Sequence, residues 1–151
     1  MAPLFGKLHH VCIVVPDIDA AQAHYERMGI GPWMPYPSLS EYVELQAPDP
    51  AAFAANVYRI CTLPSVQLQL CQPGPGDTPQ RRFLETKGPG VFHLGFEVPD
   101  ADAAEADAVA RGLPVLMRGR RADGSGFDYY DTAETAGVIL VTRETPGSPA
   151  R

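Results

Sequence analysis

Two histidines carry the first chemistry legible in this chain. His10 heads the run His10-Val-Cys-Ile-Val-Val-Pro16-Asp17-Ile-Asp19-Ala20-Ala21, which closes at Gly29. The pattern returns 83 positions later as His93-Leu-Gly-Phe-Glu-Val98-Pro99-Asp100-Ala-Asp102-Ala103-Ala104, closing at Gly112. An imidazole titrates near neutrality and is the commonest metal ligand, so an equivalently placed pair can bind an ion or move a proton. The competing interpretation is two satisfied core histidines. A second group lies at Phe127-Asp128-Tyr129-Tyr130-Asp131. In a strand, alternation sends Asp128 and Tyr130 to one face and Tyr129 and Asp131 to the other. Asp128 and Tyr130 are taken as the candidate acid–base set, against ordinary aromatic packing. Arg59, beside Tyr58 on another apolar run, is a permanent cation that can grip a carboxylate or phosphate, or form a surface ion pair.

The elements that must position these groups follow from the repeat. Leu8 to Val15 is β-branched and apolar, and Pro16-Asp17 ends it. Asp17 or Asp19 can cap a helix whose apolar residues Ile18, Ala21, Tyr25 and Met28 share one face, with Gly29 at its C-terminal end. Trp33 to Tyr36 predicts a brief edge strand, held short by Pro35. Residues 38–52 are polar and contain Pro48 and Pro50, which predicts a loop. Two strands, 56–62 and 66–72, flank Leu63-Pro64-Ser65. A loop at 73–77 and a short helix over 79–86 lead into the second copy. There the expected elements are a strand over 91–98, a helix over 102–111 and strands over 114–118, 127–131 and 137–143. The organisation is a single domain over 1–151: module one at about 7–73, a linker at 74–90, module two at about 91–144 and a flexible tail at 145–151. Duplication of one supersecondary unit means that neither half buries its sheet alone.

At 151 residues with a formal charge of −6, the chain is long enough for one core and too acidic to suit nucleic acid or an anionic membrane. No apolar run approaches the roughly 20 residues that span a bilayer. Cys12, Cys61 and Cys71 sit in apolar runs and read as reduced, packed thiols of a cytoplasmic protein. Cys12 and Cys71 are more simply small apolar fillers than soft metal ligands.

The doubled β-α-β-β-β unit, with its His-Val strand and Val-Pro-Asp-x-Asp-Ala-Ala turn, resembles the vicinal oxygen chelate superfamily. That superfamily holds glyoxalases, methylmalonyl-CoA epimerases, extradiol dioxygenases and metal-free bleomycin-binding proteins. The stretches Gln69-Leu-Cys-Gln-Pro73 and Phe83-Leu-Glu-Thr-Lys-Gly88-Pro-Gly90-Val-Phe-His93 look most like its epimerase and glyoxalase-like branch. The resemblance implies an α+β fold whose two tandem modules form a cup-shaped, eight-stranded mixed sheet with helices outside. It implies a small-molecule substrate in the cup and a homodimer.

By the same resemblance the metal ligands are His10, Gln69 and His93, with His10 chosen over His9 by strand parity and by its match to His93. The family's fourth ligand is a glutamate in the last strand. Here that strand reads Gly137-Val-Ile-Leu-Val141-Thr-Arg-Glu144, so Val141 stands where the glutamate belongs. Glu144 should face the other way, and Glu97 lies four strand residues from His93, roughly 13 Å of rise, too far to share an ion. The expected activity is a metal-assisted isomerase or lyase acting on a carbonyl- or carboxylate-bearing molecule, with a divalent ion at an altered site. The alternative is a metal-free binding protein that uses the same cup.

Overall fold

The computed structural model describes residues 3–37 and 39–147. In chain order the elements are β1 (Leu8–Val14), α1 (Ile18–Arg27), β2 (Met34–Pro35), a 3₁₀ turn (Leu39–Glu41), β3 (Tyr42–Gln46), α2 (Pro50–Ala54), β4 (Val57–Thr62), β5 (Gln67–Gln72), α3 (Pro79–Lys87), β6 (Gly90–Glu97), α4 (Ala101–Ala110), β7 (Val115–Arg121), β8 (Gly126–Tyr130), α5 (Ala133–Ala136) and β9 (Ile139–Arg143).

The caps explain where the helices begin. Asp17 accepts from the Ala20 amide and Asp100 from the Ala103 amide, each at 3.0 Å, so the repeated Pro-Asp dipeptide caps both copies. Thr78 does the same for α3 through the Arg81 amide. Gly29 and Gly112 adopt φ of 81° and 84° two residues beyond their helices, a left-handed conformation that only glycine enters without strain.

The chain divides into two compact units, one of residues 10–37 and 49–92, the other of residues 1–9, 38–48 and 93–151. In the first, the strand order is β2-β4-β5-β1, with β1 and β5 parallel and the other pairs antiparallel. In the second it is β6-β9-β8-β7-β3, with β6 and β9 parallel. Remove β3 and the two orders correspond strand for strand, which is the duplication expressed as topology.

Nine strands are present among the described residues, where eight were expected. The additional one is β3, from a segment whose prolines suggested a loop. It needs a partner on one edge only, and it finds one in β7, with a register shift between Tyr42 and Glu44. The tail expected to fray is described only as far as Gly147; residues 148–151 lie outside the described residues.

Each unit has a helix-covered face. In the first, Ile18, Ala21 and Tyr25 of α1 pack with Ile13, Val15, Trp33, Cys61, Leu68 and Leu70. Trp33 belongs to this core, its indole donating to the Ile30 carbonyl at 3.0 Å. In the second, Ala104 and Ala108 of α4 pack with Leu4, Val98 and Tyr130, joined by Phe5, Leu113 and Val115. Truncating a fully buried residue such as Leu70 to alanine should cost about 2–5 kcal/mol. These helix-covered faces decide which strand residues remain for chemistry.

Candidate functional site

In the first unit, β1 alternates. Ile13 goes to the α1 side, leaving His10, Cys12 and Val14 on the opposite face. Cys12 stands opposite Gln69 on β5, and Gln69 opposite Ile60 on β4. His10, Gln69 and Tyr58 therefore share one face. His10 and Gln69 are each 5% exposed, and Gln69 donates to the Gln67 side-chain oxygen at 3.1 Å.

Arg59 does not join them. It is registered with Leu70, on the helix-covered side, where its guanidinium meets Asp19 at 2.7 Å and donates to Gln22 at 2.8 Å. Its partners are α1 side chains, so Arg59 anchors the helix. Cys12, Cys61 and Cys71 are all buried and free of disulfides, and burial pushes the Cys71 thiol up to about 12. These are inert, packed thiols.

In the second unit, His93 is 1% exposed and registered with Ile139 on β9. Burial depresses its pKa to about 3, so the imidazole is neutral throughout the physiological range. The Tyr129 ring meets it edge-on, centroids 5.0 Å apart at 68°, and Phe127 continues the row 5.4 Å beyond Tyr129. Val141 pairs with Tyr129, so this face carries His93, Phe127, Tyr129 and Val141.

Asp128 and Tyr130 point the opposite way, toward α4, which corrects their assignment as the acid–base set. Asp128 is fully buried, and the Arg120 guanidinium donates to its two oxygens at 2.9 and 3.2 Å. Burial and a hydrogen bond with Glu105 push the Asp128 carboxyl up to about 8 against the pull of Arg120, while Glu105 is lowered. The pair therefore favours a proton on Asp128 over one on Glu105. Tyr130 sits in the α4 core, its hydroxyl 2.8 Å from that of Thr142. Parity alone left two options on β8, and the aromatic pair Tyr129 takes the site face.

Glu144 and Glu97 are committed elsewhere. Glu144 is 1% exposed and accepts from the Ala101 amide at 2.8 Å, on the α4 side as alternation predicts. Glu97 meets Arg143 at 3.1 Å, and Arg143 also lies 2.8 Å from the Nε2 of His9. Burial, with Arg143 nearby, lowers His9 to about 4. Among the described residues, no cluster of three or more His, Cys, Asp and Glu side chains is arranged to hold a metal ion.

Comparison with known proteins settles the family. Residues 9–130 match the model of the Glyoxalase/Bleomycin resistance protein/Dioxygenase superfamily. The chain belongs to this superfamily. Within it, the chain is 33% identical over 118 residues to the ethylmalonyl-CoA/methylmalonyl-CoA epimerase of Cereibacter sphaeroides, covering 77% of this chain and 78% of that protein. It is 26% identical over 138 residues to the mitochondrial methylmalonyl-CoA epimerase of Homo sapiens, covering 89% and 72%. The methylmalonyl-CoA epimerase of Mycobacterium tuberculosis shares the fold with a TM-score of 0.70 at 22% identity, over 100% of this chain and 96% of that one. A methylmalonyl-CoA epimerase solved with methylmalonyl-CoA and NH4+ gives 0.72 at 20% identity, over 95% and 97%. The superfamily fold, α+β with a duplicated β-α-β-β-β unit, is therefore the fold of this chain.

Two residues escaped the sequence. Tyr129 was an open alternative that only register resolves. Gln80, at the second position of α3, is fully buried and donates to the Tyr58 hydroxyl at 3.1 Å. Nothing in the linker pattern around it distinguishes this glutamine from a surface one.

Proposed function

We propose that this superfamily member is a small-molecule isomerase or lyase acting on a carbonyl- or carboxylate-bearing substrate. A carboxyacyl-CoA thioester is the first class to test, because the relatives are epimerases of such thioesters by name. The observation that carries the reading is His93. It is buried, kept neutral by that burial, and placed at the repeat position equivalent to His10.

A metal-binding imidazole must be deprotonated, and His93 meets that condition down to low pH. The proposed ligands are His10, Gln69 and His93, two imidazoles and an amide, a set suited to a borderline divalent ion. No carboxylate completes it, since Val141 is 2% exposed and packs beside Tyr129. By their chemistry, three neutral ligands of this kind would hold a divalent ion more weakly than a set that includes a glutamate. Such an ion would supply Lewis-acid polarisation of a substrate carbonyl. A homodimer in the cytoplasm is part of the same proposal.

Val141 favours one second reading, a metal-free binding protein. The two are separated by incubating the protein with methylmalonyl-CoA in deuterated water, with and without zinc, cobalt or manganese, and following the proton between the two carbonyls by NMR. The enzyme reading expects deuterium at that carbon, faster with metal. Binding of the thioester without exchange under any condition supports the metal-free alternative and overturns the enzyme.

A further inference from the structure

β3 stands at the edge of the second unit's strand order, bonded to β7 alone, whereas β8 is bonded on both sides. Its pairing is interrupted by the register shift between Tyr42 and Glu44. Tyr42 is the one buried residue of β3; Val43 is 69% exposed, and Glu44 and Gln46 are also open to solvent. An edge strand that buries so little apolar surface is a segment of low local stability, able to open while the rest of the sheet stays formed.

Side chains add a hold from both faces of β7. On the α4 side the Glu44 carboxylate meets Arg118 at 3.3 Å, and on the His93 side Glu41 meets Arg121 at 3.2 Å. Glu44 and Glu41 are 60% and 43% exposed, so both pairs are weak and open to screening by salt. Arg121 also donates to the Tyr42 hydroxyl at 2.9 Å, with its guanidinium 4.7 Å from the centre of that ring. Tyr42 in turn meets Phe127 edge to face, centroids 5.1 Å apart at 87°. A Cβ at Gly119 would lie 2.6 Å from the Phe127 ring and 3.0 Å from that of Tyr42, so this glycine leaves the space in which the two rings meet. From Phe127 the row runs through Tyr129 to His93. One side chain of β3 is thereby connected, ring by ring, to the imidazole of the proposed site.

We propose that β3 is a salt-sensitive strap, which releases from β7 ahead of the rest of the sheet, withdraws Tyr42 from the aromatic row and so controls access to His93. With the strap closed, the row is packed from Tyr42 to His93. With it open, Phe127 loses the ring that meets it over Gly119, and Tyr129 loses the support that Phe127 relays. The bearing of this motion on turnover rests on the isomerase reading above; the motion itself does not.

Backbone hydrogen exchange, read by mass spectrometry on wild type and on the double variant Glu41→Gln with Glu44→Gln, tests it. In wild type the β3 amides should exchange at least about tenfold faster than those of β8 and β9. Raising sodium chloride from about 20 mM to about 0.5 M should speed β3 about threefold and leave β8 and β9 unchanged. The double variant should show the faster β3 exchange at low salt and no further response to salt. Acylation of His93 by diethyl pyrocarbonate, which attacks neutral imidazoles, should rise in the variant by the same factor as β3 exchange, with peptide mapping separating the four histidines. Exchange of β3 at the rate of β8, a β3 indifferent to salt, or unchanged His93 acylation in a loosened variant each overturns the proposal. Neither measurement needs turnover. A wild type that fails to move deuterium into methylmalonyl-CoA overturns the isomerase reading, and a salt-dependent β3 linked to His93 still upholds the strap.

Discussion

The imidazole of His93 and the ring of Tyr129 meet edge to face, 5.0 Å between centroids, on a strand face that Val141 completes. Where a carboxylate would have made this face a charged site, valine makes it an aromatic and apolar one with a single neutral nitrogen base. The consequences can be measured.

Replacing Val141 with glutamate returns an oxygen donor to the His93 face. Burying a new carboxylate at a position 2% exposed should destabilise the metal-free protein by about 2 kcal/mol. Divalent-ion affinity should rise at least about tenfold, and saturating metal should recover most of the lost stability. Calorimetric titration with cobalt or zinc, beside thermal melts, reports both effects.

The Asp128–Glu105–Arg120 cluster makes stability depend on pH. Burial raises Asp128 from its ordinary 3.8 to about 8, so the folded state holds a proton that the unfolded chain releases. Stability from this group is complete below the unfolded value and is lost as pH rises toward 8. Asp128→Asn keeps one acceptor for Arg120 and a donor toward Glu105 without the titration. Its denaturant midpoint should vary less than wild type between about pH 5 and about pH 9. Asp128→Ala leaves Arg120 buried without that partner and should cost about 3 kcal/mol.

Tyr130 and Arg59 are structural in this account. Tyr130→Phe removes the hydroxyl bonded to Thr142 and should cost about 1 kcal/mol. Arg59→Met removes a partly exposed ion pair to Asp19 and should cost no more than about 1 kcal/mol. Neither should alter metal affinity or deuterium exchange, measured side by side with denaturation. Loss of exchange in either variant would return that residue to the site.

Much of the fold was legible because the repeat is local. Pro-Asp caps, alternating β1 and the closing glycines are all short-range signals, and both copies obey them. The choice of face on β8 was not legible. All five of its residues are buried, so no alternation of polar and apolar residues distinguishes the α4 side from the His93 side. Arg59 misled for a related reason: a charged residue in an apolar strand suggests a site, but its partners, Asp19 and Gln22, are far away in sequence and near only in the fold. β3 was hidden by the prolines that follow it, Pro48 and Pro50, and by pairing with β7, a strand more than 70 residues onward. Gln80 was invisible because burial of a helix residue depends on what packs over it.

The central proposal is that His10, Gln69 and His93 serve as ligands of a divalent ion without a carboxylate. Metal content after purification without chelators, followed by calorimetric titration of zinc, cobalt, nickel and manganese into wild type and His93→Ala, tests it directly. The account predicts one ion per chain for wild type and none for His93→Ala at the same concentration. Binding that is absent from wild type, or equal in the two proteins, would contradict it.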